Sequence, residues 1–182
     1  MRIGLSGPVD LVIVATGLLH AADIKPEKSW RELEAGTLAQ YFAVNASGRR
    51  LWPSTSCRCS GAASDRTFAA LSARVGSIGD NRLGGWYGYR ASKAALNMLV
   101  KTLAIELART RPEAICMALH PGTVETDLSR PFQQSVARGK LFTPEVAAAH
   151  LLTVLERLAQ RTAAAASHGT GDASNLEAVA PD

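Results

Sequence analysis

The stretch Tyr89-Arg-Ala-Ser-Lys93 begins a longer run, YRASKAALNMLVKTLAIELAR (89–109), and after EAICMAL (113–119) comes His120-Pro-Gly-Thr123. Ala95, Leu96, Leu99, Val100, Leu103, Ile105 and Leu107 give the run a broad apolar face at helical spacing. The apolar heptapeptide that follows reads as a short buried strand. Pro121-Gly122 then marks a tight turn at the carboxyl edge of that strand, where open α/β sheets bind ligands. Tyr89 and Lys93 are four residues apart, so on a helix their Cβ atoms lie about 5–6 Å from each other on one face. A phenol titrates near pH 10 and a neighbouring ammonium favours its phenolate, so the pair is suited to moving a proton to or from a carbonyl oxygen. Tyr-x-x-x-Lys by itself is also the spacing of an ordinary solvated face; the helix, strand and turn around it give it weight.

Working outward, apolar strands are expected over 11–15, 67–72 and 114–119, and helices over 30–44, 88–108 and 144–158. Thr143 and Pro144 form an N-cap and first helical position for the last of these. Alternating strands and helices predict an α/β fold with a parallel sheet. With 182 residues and 47 % apolar composition, the chain can bury one sizeable core. Its net charge of +4 arises largely in 46–66, where Arg49, Arg50, Arg58 and Arg66 face only Asp65. Elsewhere the chain is nearly neutral, so no nucleic-acid partner is expected. Cys57, Cys59 and Cys116, and His20, His120, His150 and His168, have no metal-ligand spacing, and no metal is expected. No signal peptide is read, and the apolar segment 11–19 is too short to span a bilayer, so no membrane partner and a cytoplasmic location are expected.

The segments LSARVGSIGDNRLGGWYGYRASKAALNMLVKTLAIEL and ALHPGTVETDL closely resemble the short-chain dehydrogenase/reductase family, in the branch of C-factor and sniffer-like carbonyl reductases. The resemblance covers roughly 10–46 and 67–158. It implies a Rossmann-like three-layer fold, NAD(P) as cofactor, and a small-molecule carbonyl or alcohol as substrate. By that resemblance Tyr89 is the general acid/base, Lys93 binds the nicotinamide ribose and lowers the tyrosine's pKa, and Asn45 holds a proton-relay water. Pro121, Gly122 and Thr123 match the turn beside the nicotinamide, and Thr126 a threonine that contacts the carboxamide. Ala15-Thr16-Gly17 stands where the family has Asn-Ala-Gly, which places Ala15 and Gly17 at the cofactor. The family's catalytic serine is the second of a Ser-Ser pair that reads Ser72-Ala73 here. Ser77, 12 residues before Tyr89, and Ser72 are the two candidates, Ser77 first. Alternation on a strand turns Ser72 away from the side that residue 73 would occupy.

Three features depart from the family pattern. The glycine-rich Thr-Gly-x-x-x-Gly-x-Gly turn that seats a pyrophosphate is absent from the sequence. This predicts a truncated Rossmann-like sheet of three strands, with the first βαβ cofactor-binding half missing, doubtful cofactor binding, and a homo-oligomer as one way to cover exposed apolar surface. Residues 46–66 (ASGRRLWPSTSCRCSGAASDR) interrupt the helical pattern and read as an irregular insert from a compensated frameshift. Residues 161–182 turn Ala/Ser/Gly/Thr-rich and read as a disordered tail after a domain spanning 1–160. Two functional expectations follow: an NAD(P)-dependent oxidoreductase impaired by these departures, or a catalytically inactive remnant acting at most through protein contacts.

Overall fold

The computed structural model describes residues 10–47, 67–168 and 177–179, with side chains over 10–47 and 67–160. Chain order gives strand β1 (Leu11–Val14), helix α1 (Ala35–Phe42), β2 (Thr67–Leu71), α2 (Tyr87–Thr110), β3 (Ile115–His120), β4 (Thr123–Val124), β5 (Leu141–Phe142), α3 (Pro144–His168) and β6 (Glu177–Val179). The main sheet has the order β1-β2-β3-β6 and is parallel throughout; β4 and β5 form a separate small parallel ladder.

A parallel strand with helices on both faces buries both of its sides, and so loses the polar alternation of a half-exposed strand. Strand β3 (ICMALH) is apolar nearly throughout for this reason. Ile115, Met117 and Leu119 point to one face, where with Ala69 they meet Leu155 and Leu158 of α3. Cys116 points to the other face and, with Ala70, meets Leu96, Val100 and Leu103 of α2. Adjacent alanines at the centre of β2, both under 2 % exposed, let the two helices approach its opposite faces closely. The result is three layers: helix, sheet, helix.

Expectation and structure differ in four places. First, the sheet has four strands among the described residues, and β1, α1 and β2 constitute a parallel βαβ unit near the N-terminus. The expectation of a truncated three-strand sheet lacking its first βαβ unit is corrected by that unit. Second, the single helix expected over 30–44 is divided. A 3-10 turn at Trp30–Glu32 is capped by Ser29 and closed by Leu33 N–H on the Trp30 carbonyl, α1 begins afresh at Ala35, and its end widens into a π-helical turn, Ala43–Ser47. The apolar side chains that suggested one helix, Trp30 and Leu33, are 63 % and 42 % exposed and do not anchor it to the core. Third, α3 continues past 158 to His168. Fourth, β6, within the segment expected to be a disordered tail, pairs with Ala118, Leu119 and His120 of β3. Of the expected irregular insert, 48–66 lies outside the described residues, as do 169–176 and 180–182 of the tail. Among the described residues no helix is long and apolar enough to cross a membrane, and no group of three or more His, Cys, Asp or Glu could hold a metal ion.

Met117, fully buried between β2 and α3, tests this packing. Met117→Ala is expected to destabilise the fold by about 2–5 kcal/mol through lost burial and a residual cavity. Chemical denaturation of both proteins checks it.

Candidate active site

The π-helical turn at Ala43–Ser47 buries two successive residues, Asn45 and Ala46. Asn45 is 2 % exposed and stitches three segments together. Its Oδ1 accepts from Leu18 N–H at 2.7 Å, and its Nδ2 donates to the Leu18 carbonyl at 2.9 Å and to Ser92 Oγ at 3.0 Å. Ser92 Oγ in turn donates to the Tyr89 carbonyl at 2.8 Å. The loop after β1, the end of α1 and the first turns of α2 are thereby held in one network, and every polar atom of the buried amide side chain has a partner.

Tyr89 and Lys93 lie on the buried face of α2, 7 % and 3 % exposed. The Lys93 Nζ donates to the Leu71 carbonyl at the end of β2, 2.9 Å away, and sits 5.8 Å from the centre of the Tyr89 ring. Burial pushes the Tyr89 phenol up to about 12 and the Lys93 ammonium down to about 8. The expected lowering of the tyrosine by its lysine therefore does not appear here: desolvation outweighs the cation. Tyr89 holds its proton across the ordinary pH range, and among the described residues nothing accepts a hydrogen bond from its hydroxyl.

Around Tyr89 stands an aromatic shell. The Tyr41 and Trp86 rings meet it edge-on at 6.4 and 6.2 Å, and Phe132 packs edge-on against Trp86 at 4.8 Å. Tyr41 is fully buried and donates to the Leu19 carbonyl at 2.7 Å; burial first, then the Glu27 carboxylate, pushes its phenol up to about 12. Glu27, 3 % exposed, accepts from Gly88 N–H in the first turn of α2. A Cβ on Gly88 would lie 2.4 Å from Tyr41 Cδ2 and 2.8 Å from Glu27 Oε1, so only glycine fits there.

The remaining sequence-derived candidates line the carboxyl edge of the sheet. Ala15 and Gly17 are exposed just after β1; a Cβ on Gly17 would rest 3.6 Å from Lys93 Nζ and 3.8 Å from Asn45 Oδ1. Pro121 and Gly122 follow β3, and Thr123 opens β4. Gly122 has φ of +78°, and a Cβ there would strike the Phe142 ring at 2.7 Å, so this turn demands glycine twice over. Thr126 is exposed, and its Oγ1 donates to the Val124 carbonyl at 3.4 Å. Neither serine engages Tyr89: Ser72 Oγ donates to Asn97 Oδ1, and Ser77 Oγ accepts from Asp80 N–H at 3.3 Å. Ala73 packs against the Tyr41–Tyr89 cluster in the place where a serine was sought. His120 is held below its usual pKa, by burial and then by Arg74. Sequence reading missed Ser92, Tyr41, Glu27 and Trp86. Ser92 carried a visible signal, a hydroxyl beside Lys93 on the apolar side of a helix.

Lys93 makes stability pH-dependent in a defined direction. Its folded pKa, about 8, lies below the ordinary lysine value of 10.5 that holds in the unfolded chain, so the unfolded chain binds more protons between those values. Stability attributable to Lys93 therefore rises as pH increases through that window. The raised Tyr41 and Tyr89 oppose it above pH 10, leaving pH 8–10 as the clean interval. Lys93→Met is expected to flatten the rise in Tm that the wild type shows there, measured by calorimetry.

Comparison with known proteins accords with this geometry. The family model described as short chain dehydrogenase matches residues 3–137. The chain is 39 % identical over 101 residues to a 1-hydroxy-2-glutathionyl-2-methyl-3-butene dehydrogenase of Rhodococcus sp. (strain AD45), a match covering 56 % of this chain and 42 % of that protein. It is 34 % identical over 130 residues to C-signal of Myxococcus xanthus, covering 69 % of this chain and 72 % of the relative. Among solved structures, a short-chain dehydrogenase/reductase from Burkholderia multivorans with bound NADP superposes with a TM-score of 0.67 at 24 % identity, covering 84 % of this chain and 60 % of that one. This chain thus spans about two-fifths of the length of the Rhodococcus relative. The match begins at residue 3, takes in 3–47 and runs through 46–66, which overturns the reading of a chain whose dinucleotide-binding region is missing and whose 46–66 segment is frameshifted. The expectation of an impaired enzyme is corrected as well, since Asn45, Ser92 and Tyr41 stand assembled and fully bonded in the catalytic region. NAD(P) use is general to the family, and its Rossmann-like oxidoreductase fold is the one seen here. This chain belongs to the short chain dehydrogenase family.

Proposed function

We propose that the chain is an NAD(P)-dependent oxidoreductase that interconverts a small-molecule alcohol and its carbonyl, with Tyr89 as general acid/base. The observation that carries this reading is the convergence of Tyr89, Lys93 and Asn45, each under 10 % exposed, at the carboxyl edge of a parallel sheet. The name of the Rhodococcus relative, a dehydrogenase of a 1-hydroxy compound, supports an alcohol as the reduced partner.

The residues present fit a nicotinamide cofactor. At Gly17 any side chain would fill the space against Lys93 Nζ and Asn45 Oδ1, and glycine keeps it open. Ala15, Gly17, Pro121, Gly122, Thr123 and Thr126 would hold the cofactor, with Lys93 on the ribose and Tyr89 beside it. When bound, that cofactor supplies or accepts the hydride, which no side chain can do.

The protein's own groups manage the proton. A phenol held near 12 is a reluctant base and a dependable donor, so at neutral pH Tyr89 favours protonating a carbonyl oxygen, the direction of reduction. The Lys93 ammonium stabilises the phenolate that this leaves. Asn45, fixed by its hydrogen bonds, supports a water relay that returns the proton. Of the two serines, Ser72 already donates its proton to Asn97, whereas Ser77 accepts from Asp80 and keeps its own proton to donate. Ser77 is therefore the better hydroxyl to polarise the carbonyl, with Ser72 second.

Tyr89→Phe is expected to lower kcat for carbonyl reduction by about 100-fold or more, since general acid catalysis contributes that much. NADH or NADPH consumption with a panel of aldehydes and ketones measures it; a variant as fast as the wild type would refute the assignment. Ser77→Ala is expected to lower kcat more than Ser72→Ala does. Reduction by the wild type is expected to slow as pH rises through about 8, where Lys93 loses its charge.

A further inference from the structure

The turn that leads into Tyr89 has an unusual conformation. Gly84, Gly85 and Trp86 follow one another with φ of +64°, +64° and +53°. Glycine adopts this region freely, but a residue with a Cβ is disfavoured there. Trp86 is the third residue of the run and the N-cap of α2, and its side chain caps nothing. The capping is done from elsewhere: the buried Glu27 carboxylate takes Gly88 N–H, and the Glu27 carbonyl takes Trp86 N–H at 2.5 Å. A Cβ on Gly85 would press on that same carbonyl at 3.4 Å. Backbone held this firmly in a strained conformation, beside a site, is a reason to ask what the side chain does.

The half-buried indole makes a wall. Trp86 meets Phe132 edge-on at 4.8 Å and Tyr89 at 6.2 Å, and Phe132 meets His20 at 5.9 Å. Three segments distant in sequence supply these rings: the loop after β1, the turn before α2, and the 3-10 helix Arg130–Ser135. His20 Nε2 donates to the Asp127 carbonyl at 3.2 Å and is thereby turned to the main chain. Lys93 Nζ approaches this cluster at its Tyr89 end, 5.8 Å from the ring centre, and the buried Glu27 carboxylate accepts from Gly88 N–H next to Tyr89. The loop leading to the turn adds Ile78 and Leu83, 86 % and 92 % exposed.

Resting on the reading of Tyr89 as the proton donor, the geometry points to an aromatic aldehyde or ketone, or the corresponding benzylic alcohol, as the substrate class. Trp86 and Phe132 receive the ring, and Trp86 is the residue that sets specificity. Offset and edge-on stacking reward a flat ring over an alkyl chain of equal size. A carbonyl attached directly to the ring then lies against Tyr89, the next aromatic in the cluster.

The test compares benzaldehyde with butanal, and adds ligand-observed NMR of benzyl alcohol as a readout independent of turnover. Wild type, Trp86→Leu, Trp86→Phe, Phe132→Leu and Tyr89→Phe are measured, each checked for cooperative melting. The wild type is expected to prefer benzaldehyde. Trp86→Leu is expected to lower kcat/KM for benzaldehyde about tenfold more than for butanal, chiefly through KM. Trp86→Phe should restore most of the difference, and Tyr89→Phe should lose turnover while still binding benzyl alcohol. Equal losses on both aldehydes in Trp86→Leu, or a wild type that prefers butanal, would overturn the subsite and leave the oxidoreductase reading standing. If the wild type reduces no carbonyl with either nicotinamide, that reading falls and benzyl alcohol binding decides the subsite: lost in Trp86→Leu, it stands; unchanged, it fails.

Discussion

The bond from Lys93 Nζ to the Leu71 carbonyl is the constraint around which this molecule is arranged. It ties the first turns of α2 to the last residue of β2, and it does so with a cation that burial disfavours. Such a group is tolerated where close packing brings it a hydrogen-bond partner. Gly76 provides that packing, because a Cβ there would lie 2.9 Å from the Lys93 carbonyl carbon and its Cβ. Gly88 does the same one turn earlier against Tyr41 and Glu27. Helix α2 thus approaches the segment after β2, and helix α1, at distances set by two absent side chains, and the position of Tyr89 follows from that approach.

The elements carrying this arrangement were readable from the sequence because their signals are local. The apolar face 95–107 requires a helix on a sheet, and ICMAL with Pro121-Gly122 requires a buried strand ending in a turn. Tyr89 and Lys93 share a helix face by spacing alone. The network of Asn45 was legible only in part. The residue could be singled out, but its partners Leu18 and Ser92 are 27 and 47 positions away, and no periodicity encodes such a contact. The π-helical turn that aims Asn45 inward was likewise invisible, since it differs from an α-helix by one residue in register. The pKa of Tyr89 went against expectation because adjacency to a cation is visible in a sequence and burial of both groups is not.

Composition misled where it was taken as evidence of damage. A helix expected over 30–44 proved to be a 3-10 turn, a break and a short helix, since exposed Trp30 and Leu33 imitate amphipathic spacing without packing on anything. Within the polar, glycine-containing tail, residues 177–179 lie as β6 beside His120. The helix was misjudged because spacing is visible in a sequence and packing is not; a short parallel strand such as β6 is held by backbone hydrogen bonds and asks little of its side chains.

The widened turn at Ala43–Ser47 has a consequence for how this protein can change. Removing one residue from it would let the segment relax into an uninterrupted α-helix, a better-bonded and locally more stable structure. The same change would rotate everything beyond it by about 100°, the angle of one helical residue, and carry the Asn45 amide away from Leu18 and Ser92. At this position local stability and an assembled site pull in opposite directions, so a lineage or a designer selecting for a sturdier helix would dismantle the site first.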